Sequence, residues 1–251
     1  MSEPHSSREH PIYLKYLTPD AVRAHLERDS RLIVPVGTTE QHGPHLPLGC
    51  DTFIVEQLAD DLSTEFGVLR APTVEYGVNA PTMNHYPGSA SLRRKTLHRF
   101  LNDLVGSWEA GGVEQFIIIT AHGSDPHQEA VSTLHTRQAR VRTVDIFAVP
   151  IERANGGGTG PIHGGELDTS LLLYVDATLV DLSKARDYLP HKGVGRRYQR
   201  GGRGAIPKDS PGSLGRPSLA TAEKGERLYH FIYERIASRV FRIQVAPEGS
   251  Q

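Results

Sequence analysis

The apolar positions of this chain alternate between two rhythms. Strongly apolar runs over residues 32–36, 68–74, 113–120 and 143–149 read as strands, and LIVPV and the FIII of VEQFIIIT leave almost no polar face, as in parallel sheets covered on both sides. Between these runs the spacing changes to one apolar residue every three or four. Phe53, Ile54, Leu58, Leu62 and Phe66 define a helix over 51–66 that Gly67 closes. Leu97, Phe100, Leu101, Leu104, Val105 and Trp108 define another over 94–110, stopped by Gly111 and Gly112, and this phase puts Trp108 in the core. Thr18-Pro19-Asp20 supplies an N-cap with proline at the first helical position for a short helix that runs to Glu27. Pro126 opens a further helix, and Leu228, Phe231, Ile232 and Ile236 mark the inner side of a last one within 219–240. Strands alternating with helices predict an α/β fold, a three-layer α/β/α sandwich on a mainly parallel sheet, in one domain. Residues 1–11 are polar and read as loose.

Composition narrows the partners. A chain of 251 residues, 37% hydrophobic and 23% charged, can bury a sizeable core as one domain. The formal net charge of −1 provides no field for holding nucleic acid or an anionic membrane, so a small neutral or mixed-charge substrate is expected. The opening MSEPHSSREHP lacks an apolar signal core, and no apolar run approaches the roughly 20 residues of a membrane span. With a single cysteine, Cys50, there is no internal disulfide, and a reducing, cytoplasmic setting is expected.

The chemistry gathers where strands end. The run over 32–36 releases into GTTEQHGPHLPLGCD, which carries Glu40, His42, His45 and Asp51 among Gly43, Pro44 and Pro47. In an extended segment, residues two apart project the same way, so Glu40 and His42 can aim an oxygen and an imidazole nitrogen at one point. Carboxylate and imidazole together suit zinc or manganese, and Asp51, brought back by a proline-stiffened loop, could bridge two ions. Asp51 also opens a helix, where the dipole favours a carboxylate. The strand over 113–120 delivers His122 in TAHGSD at the same sheet edge, and ligands in open α/β sheets gather there. Glu129, His127 and His135 fall on the solvated side of the helix that follows. The glycine-rich run 155–160 lacks the Lys-Ser/Thr pair of a phosphate loop and reads as a mobile loop. His163-Gly164-Gly165-Glu166-Leu167-Asp168 offers two acids for one inward position. With Leu167, Leu171 and Val175 marking the buried side of a helix, Asp168 lies about 60° from its centre at Leu171 and Glu166 about 140°. Asp168 is therefore the expected ligand, and Glu166 a candidate catalytic or supporting residue, or one at a subunit contact.

These segments resemble the creatininase (creatinine amidohydrolase) family. Residues 37–51 are close to its signature Gly-Ser-x-Glu-Gln-His-Gly-Pro-His-Leu-Pro-Leu-Gly-Thr-Asp. TAHGSD is similar to its Asn-Gly-His-Gly-Gly-Asn, with Thr120, Ser124 and Asp125 as departures, and YPGSASL over 86–92 to its Phe-Pro-Gly-Thr-x-Ser-Leu. HGGELDTS is similar to its His-Ala-Gly-Glu-x-Glu-Thr-Ser, with Asp168 in place of a glutamate. The resemblance extends over residues 32–240. It implies two divalent ions per chain, zinc or manganese with iron as a further candidate, one held by Glu40, Asp51 and His122 and the other by His42, Asp51 and Asp168. It implies His163 as the catalytic proton donor to the leaving nitrogen, a small amide as substrate, and a homo-oligomer, commonly a hexamer in the family. Members acting on creatinine close a tryptophan over that flat ring from the loop before the His-x-x-x-x-Glu motif, whereas residues 153–162 here, RANGGGTGPI, hold no aromatic side chain. The resemblance therefore points to an amide other than creatinine. A formamido-nucleotide deformylase and a small-peptide peptidase are the family alternatives, and the basic loop 192–203 suits an anionic substrate of the first kind. Phosphoester cleavage or non-catalytic binding remain as other classes.

Overall fold

The computed structural model describes residues 10–148, 163–189 and 210–242, with 191, 193 and 200 besides. The least polar runs of the sequence form the middle of the sheet. Its strands are β1 (Ile12–Tyr13), β2 (Arg31–Val36), β3 (Leu69–Arg70), β4 (Gln115–Thr120) and β5 (Arg140–Asp145), all parallel, in the order β1-β3-β2-β4-β5. Both faces are covered. Ile33, Ile117 and Ile119 pack with the helices α2 (Cys50–Phe66), α5 (Glu166–Asp176) and α6 (Ala222–Ile236). Leu32, Val34, Val36, Phe116 and Ile118 face the other way, into a cluster with α1 (Pro19–Leu26), α3 (Arg94–Ala110) and α4 (Asp125–Ser132). Period-two alternation within unbroken apolar strands thus feeds two cores, and the three-layer sandwich follows.

The expected helices form where their signals stand. Thr18 Oγ1 accepts from the Ala21 N–H at the start of α1, and Gly67 closes α2 in the left-handed region. Trp108 packs against the second core cluster, as its helical phase requires. Phe100 does not, being 44% exposed, because Leu97, Leu101 and Val105 already fill the inner stripe of α3. Two strand limits also differ. The run over 68–74 gives only Leu69–Arg70, since Pro72 has no N–H for the ladder, yet Ala71 and Val74 still donate to Ile33 and Pro35. The last strand starts at Arg140 and stops at Asp145, whose side chain accepts from the Phe147 N–H and turns the chain out of the sheet. As an edge strand with solvated positions, its beginning carries no apolar run to find. Among the described residues no helix is long and apolar enough to cross a membrane. Residues 1–9, the glycine-rich run 155–160 and most of the basic loop 192–203 lie outside the described residues.

What positions the site is the register. Val36 pairs with Thr120 and Thr120 with Asp145, so the carboxyl ends of β2, β4 and β5 are level. From β2 the chain crosses to β3 on one side, and from β4 to β5 on the other. A crevice opens between two such strands, at the point where connections diverge.

The packing of α5 on α6 depends on a missing side chain. A Cβ at Gly225 would stand 1.8 Å from the Ser170 carbonyl oxygen, whereas one at Gly106 in α3 would meet nothing within 4 Å. Gly225→Ala is expected to destabilise the protein by about 1–3 kcal/mol through overpacking, and Gly106→Ala to stabilise it by about 0.5–1 kcal/mol through lost chain entropy in the unfolded state. Urea unfolding midpoints of the two variants check both signs.

Candidate metal centre

The polar side chains of the β2 and β4 ends converge on one carboxylate. Asp51 is buried in the first turn of α2, and its two oxygens face different rings: Oδ1 lies 3.1 Å from His42 Nε2 and Oδ2 lies 3.1 Å from His122 Nδ1. Glu40 Oε2 stands 3.2 Å from the same His122 nitrogen. The Thr38 hydroxyl donates to Asp51 Oδ2 at 2.6 Å. All of these groups are buried, Glu40 completely.

Each imidazole is oriented by a backbone carbonyl, which can only accept. His42 Nδ1–H donates to Glu40 O at 2.9 Å and His122 Nε2–H to Val78 O at 3.1 Å, so both rings turn their other nitrogen toward the acids. That is the usual way a protein orients an imidazole ligand. The donor atoms of Glu40, Asp51 and His122 lie within 4.8 Å of one another, as do those of Glu40, His42 and His163. Oxygen and imidazole nitrogen gathered at this spacing, with Glu40 common to both groups, fit divalent zinc or manganese.

The charges support that fit. Burial pulls the His42 ring down, but Asp51, Asp168 and Glu40 outweigh it and raise its pKa to about 10. His122 is raised as well, burial again being outweighed by Glu40 and Asp51. Burial pushes the Asp51 carboxyl up, yet the two imidazoles hold it well below the ordinary range. The cluster thus seeks positive charge, supplied by protons or by a cation in their place.

The remaining expected residues surround this core. Asp168 is buried beside it, but its Oδ2 accepts from the Gly164 N–H at 2.7 Å, and it belongs to neither close group. Burial raises its pKa to about 6. Glu166 is buried too, with Lys224 Nζ 2.6 Å from its carboxylate, so α6 holds it away from the cluster. His163 lies within ligand reach of Glu40 and His42, its ring 4.3 Å from that of His42, and its Nε2–H donates to Gln41 O at 2.5 Å. Burial and the neighbouring His42 keep its pKa well below the ordinary value, so it is neutral. His85 is exposed in a short 3-10 turn (Pro81–His85) away from these bonds.

The expectation that His127 faces solvent is wrong. It is wholly buried, with Nε2 bonded to Thr120 Oγ1 at 2.9 Å, while Glu129 is exposed as expected and His135, also exposed, lies beyond the end of α4 rather than on it. The signal was present, because Ala130 and Val131, three and four residues on, mark the buried side of α4. Gln41 was also overlooked: its amide donates to Gly212 O at 2.8 Å and its Oε1 accepts from Gly43 N–H, tying the loop over 210–215 to the site. Nothing local in the sequence announces that contact. Of the departures in TAHGSD, Ser124 donates to Val78 O at 2.7 Å, and Thr120 accepts from the His122 N–H.

A buried acid and imidazole centre at the diverging strands of a parallel three-layer sheet is a site built to hold divalent metal in an α/β fold. The family model of creatininase, described as creatinine amidohydrolase, matches residues 15–240, and the chain belongs to the creatininase family, whose members are metal-dependent amidohydrolases. It is 30% identical over 230 residues to the mycofactocin precursor peptide peptidase of Mycobacterium ulcerans, covering 87% of each chain. It is 25% identical over 239 residues to the creatinine amidohydrolase of Pseudomonas putida, covering 84% of this chain and 89% of that one. The crystal structure of a creatininase superposes with a TM-score of 0.75 at 24% identity, covering 91% of this chain and 96% of that one. Similar solved folds include a Mn creatininase and a Zn-Zn type.

Because the His42 pKa is raised to about 10, its ring carries a proton in metal-free protein at pH 7–8, and that proton must leave when a cation binds. Zinc titrations in buffers of different ionisation enthalpy are expected to reveal proton release that is largest near neutrality and fades as pH rises through 10. Buffer-independent heats at pH 7 would show that zinc displaces no proton from His42.

Proposed function

We propose that the chain is a dinuclear metal-dependent amidohydrolase acting on an amide bond of a short peptide or a comparable small amide, and that it is a poor creatininase. One observation carries the dinuclear reading. The two oxygens of Asp51 are turned to two different imidazoles, as a carboxylate shared between two cations requires. Glu40, Asp51 and His122 would hold one ion, and His42, Asp51 and Asp168 the other. Two ions so held would polarise the scissile carbonyl and bring the pKa of water toward neutrality.

The chain's own residues handle orientation and protons. A neutral His163 can accept a proton from attacking water and return it to the leaving nitrogen, and its bond to Gln41 O keeps the ring in one orientation for both transfers. Asp168, short by one methylene of the family glutamate and drawn to Gly164, would hold its ion less tightly than Asp51 and Glu40 hold theirs. The Lys224 partner of Glu166 speaks for a supporting role of that acid rather than a ligand role. For the substrate, the 30% identity to a precursor-peptide peptidase and the absence of any aromatic residue over 153–162 favour an extended amide over a flat ring. A glycine-rich stretch gives no stacking wall.

The metal-replete enzyme is expected to cleave short peptides, screened by mass spectrometry, and to turn over creatinine with a kcat/KM below about 10⁴ M⁻¹s⁻¹. Asp51→Asn should cut activity by more than the roughly 10–100-fold typical of losing a group that only supports a ligand, and should lower bound metal by elemental analysis, while Glu166→Gln keeps its metal. Metal loss in Glu166→Gln with retention in Asp51→Asn would reverse the assignment.

A further inference from the structure

His127 takes no part in the reaction proposed above, yet it is fully buried and grips both the strand end that carries His122 and the loop that orients its ring. The Val78 N–H donates to its Nδ1 at 3.3 Å, so that nitrogen bears the lone pair and Nε2 the hydrogen, which goes to Thr120 Oγ1 at 2.9 Å. Both partners then act on His122. The Val78 carbonyl accepts from His122 Nε2–H at 3.1 Å, and Thr120 Oγ1 accepts from the His122 backbone N–H at 3.3 Å. The rings of His122 and His127 meet edge to face at 5.0 Å. Ser124 adds a second bond to Val78 O at 2.7 Å.

Room for this ring is built into the neighbouring loop. A Cβ on Gly77 would stand 2.7 Å from His127 Nδ1 and 2.4 Å from Thr38 Cγ2, so only glycine allows both contacts. Val78 has no side chain able to define where its carbonyl points. The residue is instead held at both of its backbone groups, the N–H by His127 and the carbonyl oxygen by His122 and Ser124.

We propose that His127 is a positioning residue of the metal centre: by holding Val78 it fixes the carbonyl that keeps His122 Nδ1 aimed at Glu40 and Asp51. The inference rests on the reading of His122 as a metal ligand. Loss of the clamp leaves the ligand in place but frees its ring to turn, which weakens the metal without removing a donor atom.

The test compares His127→Leu, His127→Asn and His127→Gln in the full chain, with zinc affinity measured against a chromophoric chelator and the His122 Nε2–H, expected to be protected from exchange, followed by NMR in metal-free protein. His127→Leu is expected to weaken zinc about 10–100-fold, the usual effect of losing a group that orients a ligand, and to lose the protected Nε2–H signal. In His127→Asn the amide oxygen stands where Nδ1 stood and can accept from Val78, so most of the affinity should return. His127→Gln reaches Thr120 but not Val78 and should resemble His127→Leu. Unchanged zinc affinity and an unchanged Nε2–H signal in folded His127→Leu overturn the proposal. If His127→Leu fails to fold, equal zinc affinities of the Asn and Gln variants overturn it. Should the wild-type chain bind no zinc, the ligand reading of His122 falls, and the Nε2–H signal across the variants still decides whether His127 orients that ring.

Discussion

A carboxylate kept ionised inside the protein is the constraint on which the rest of this structure depends. Burying Asp51 without compensation would cost several kcal/mol. The fold compensates from every direction: the first turn of α2 presents its positive end, Thr38 donates a hydroxyl, and His42 and His122 bring a nitrogen to each oxygen. None of these partners is adjacent to Asp51 in sequence. Thr38 and His42 reach it across the loop that follows β2, but His122 joins them only if β2 and β4 lie side by side in parallel with their ends level, as the register from Arg31↔Gln115 to Val36↔Thr120 provides.

Around that carboxylate, irregular backbone does what side chains alone cannot. The carbonyls of Glu40, Gln41 and Val78 each accept from a histidine nitrogen, and each leaves one ring in a defined orientation. Loops beyond strand ends have unpaired carbonyls to offer, because the ladder has stopped satisfying them. The same property that makes a strand end polar therefore makes it a place to set imidazoles. His127 and Gln41, neither of them exposed, hold these loops from behind.

The two acids of HGGELDTS illustrate how a family pattern is adjusted locally. Helical phase separates Asp168 from Glu166, and the structure gives them different partners: Gly164 N–H for the first, Lys224 for the second. Both are buried, which periodicity alone would not predict, since α5 is covered by α2 on one side and by α6 on another. A lysine from a distant helix makes burial of Glu166 tolerable.

How much of this was legible in the chain depends on the range of the interaction. The apolar runs of β2 and β4, the caps and phases of α1, α2 and α3, and the group Glu40, His42 and Asp51 follow from periods of two and 3.6 and from a single short loop, and the sequence alone determined them. His122 could be assigned to the same sheet edge by assuming parallel strands. The start of β5, the break of β3 at Pro72, the exposure of Phe100 and the burial of His127 could not, because each depends on what packs against it. The solvated-side assignment of His127 failed because imidazole is polar, and only the tertiary structure shows that Val78 and Thr120 satisfy both its nitrogens. Local sequence decides which backbone forms and which face is apolar. Whether a polar side chain is buried is decided by distant partners, because a hydrogen bond formed on folding is what offsets its loss of water.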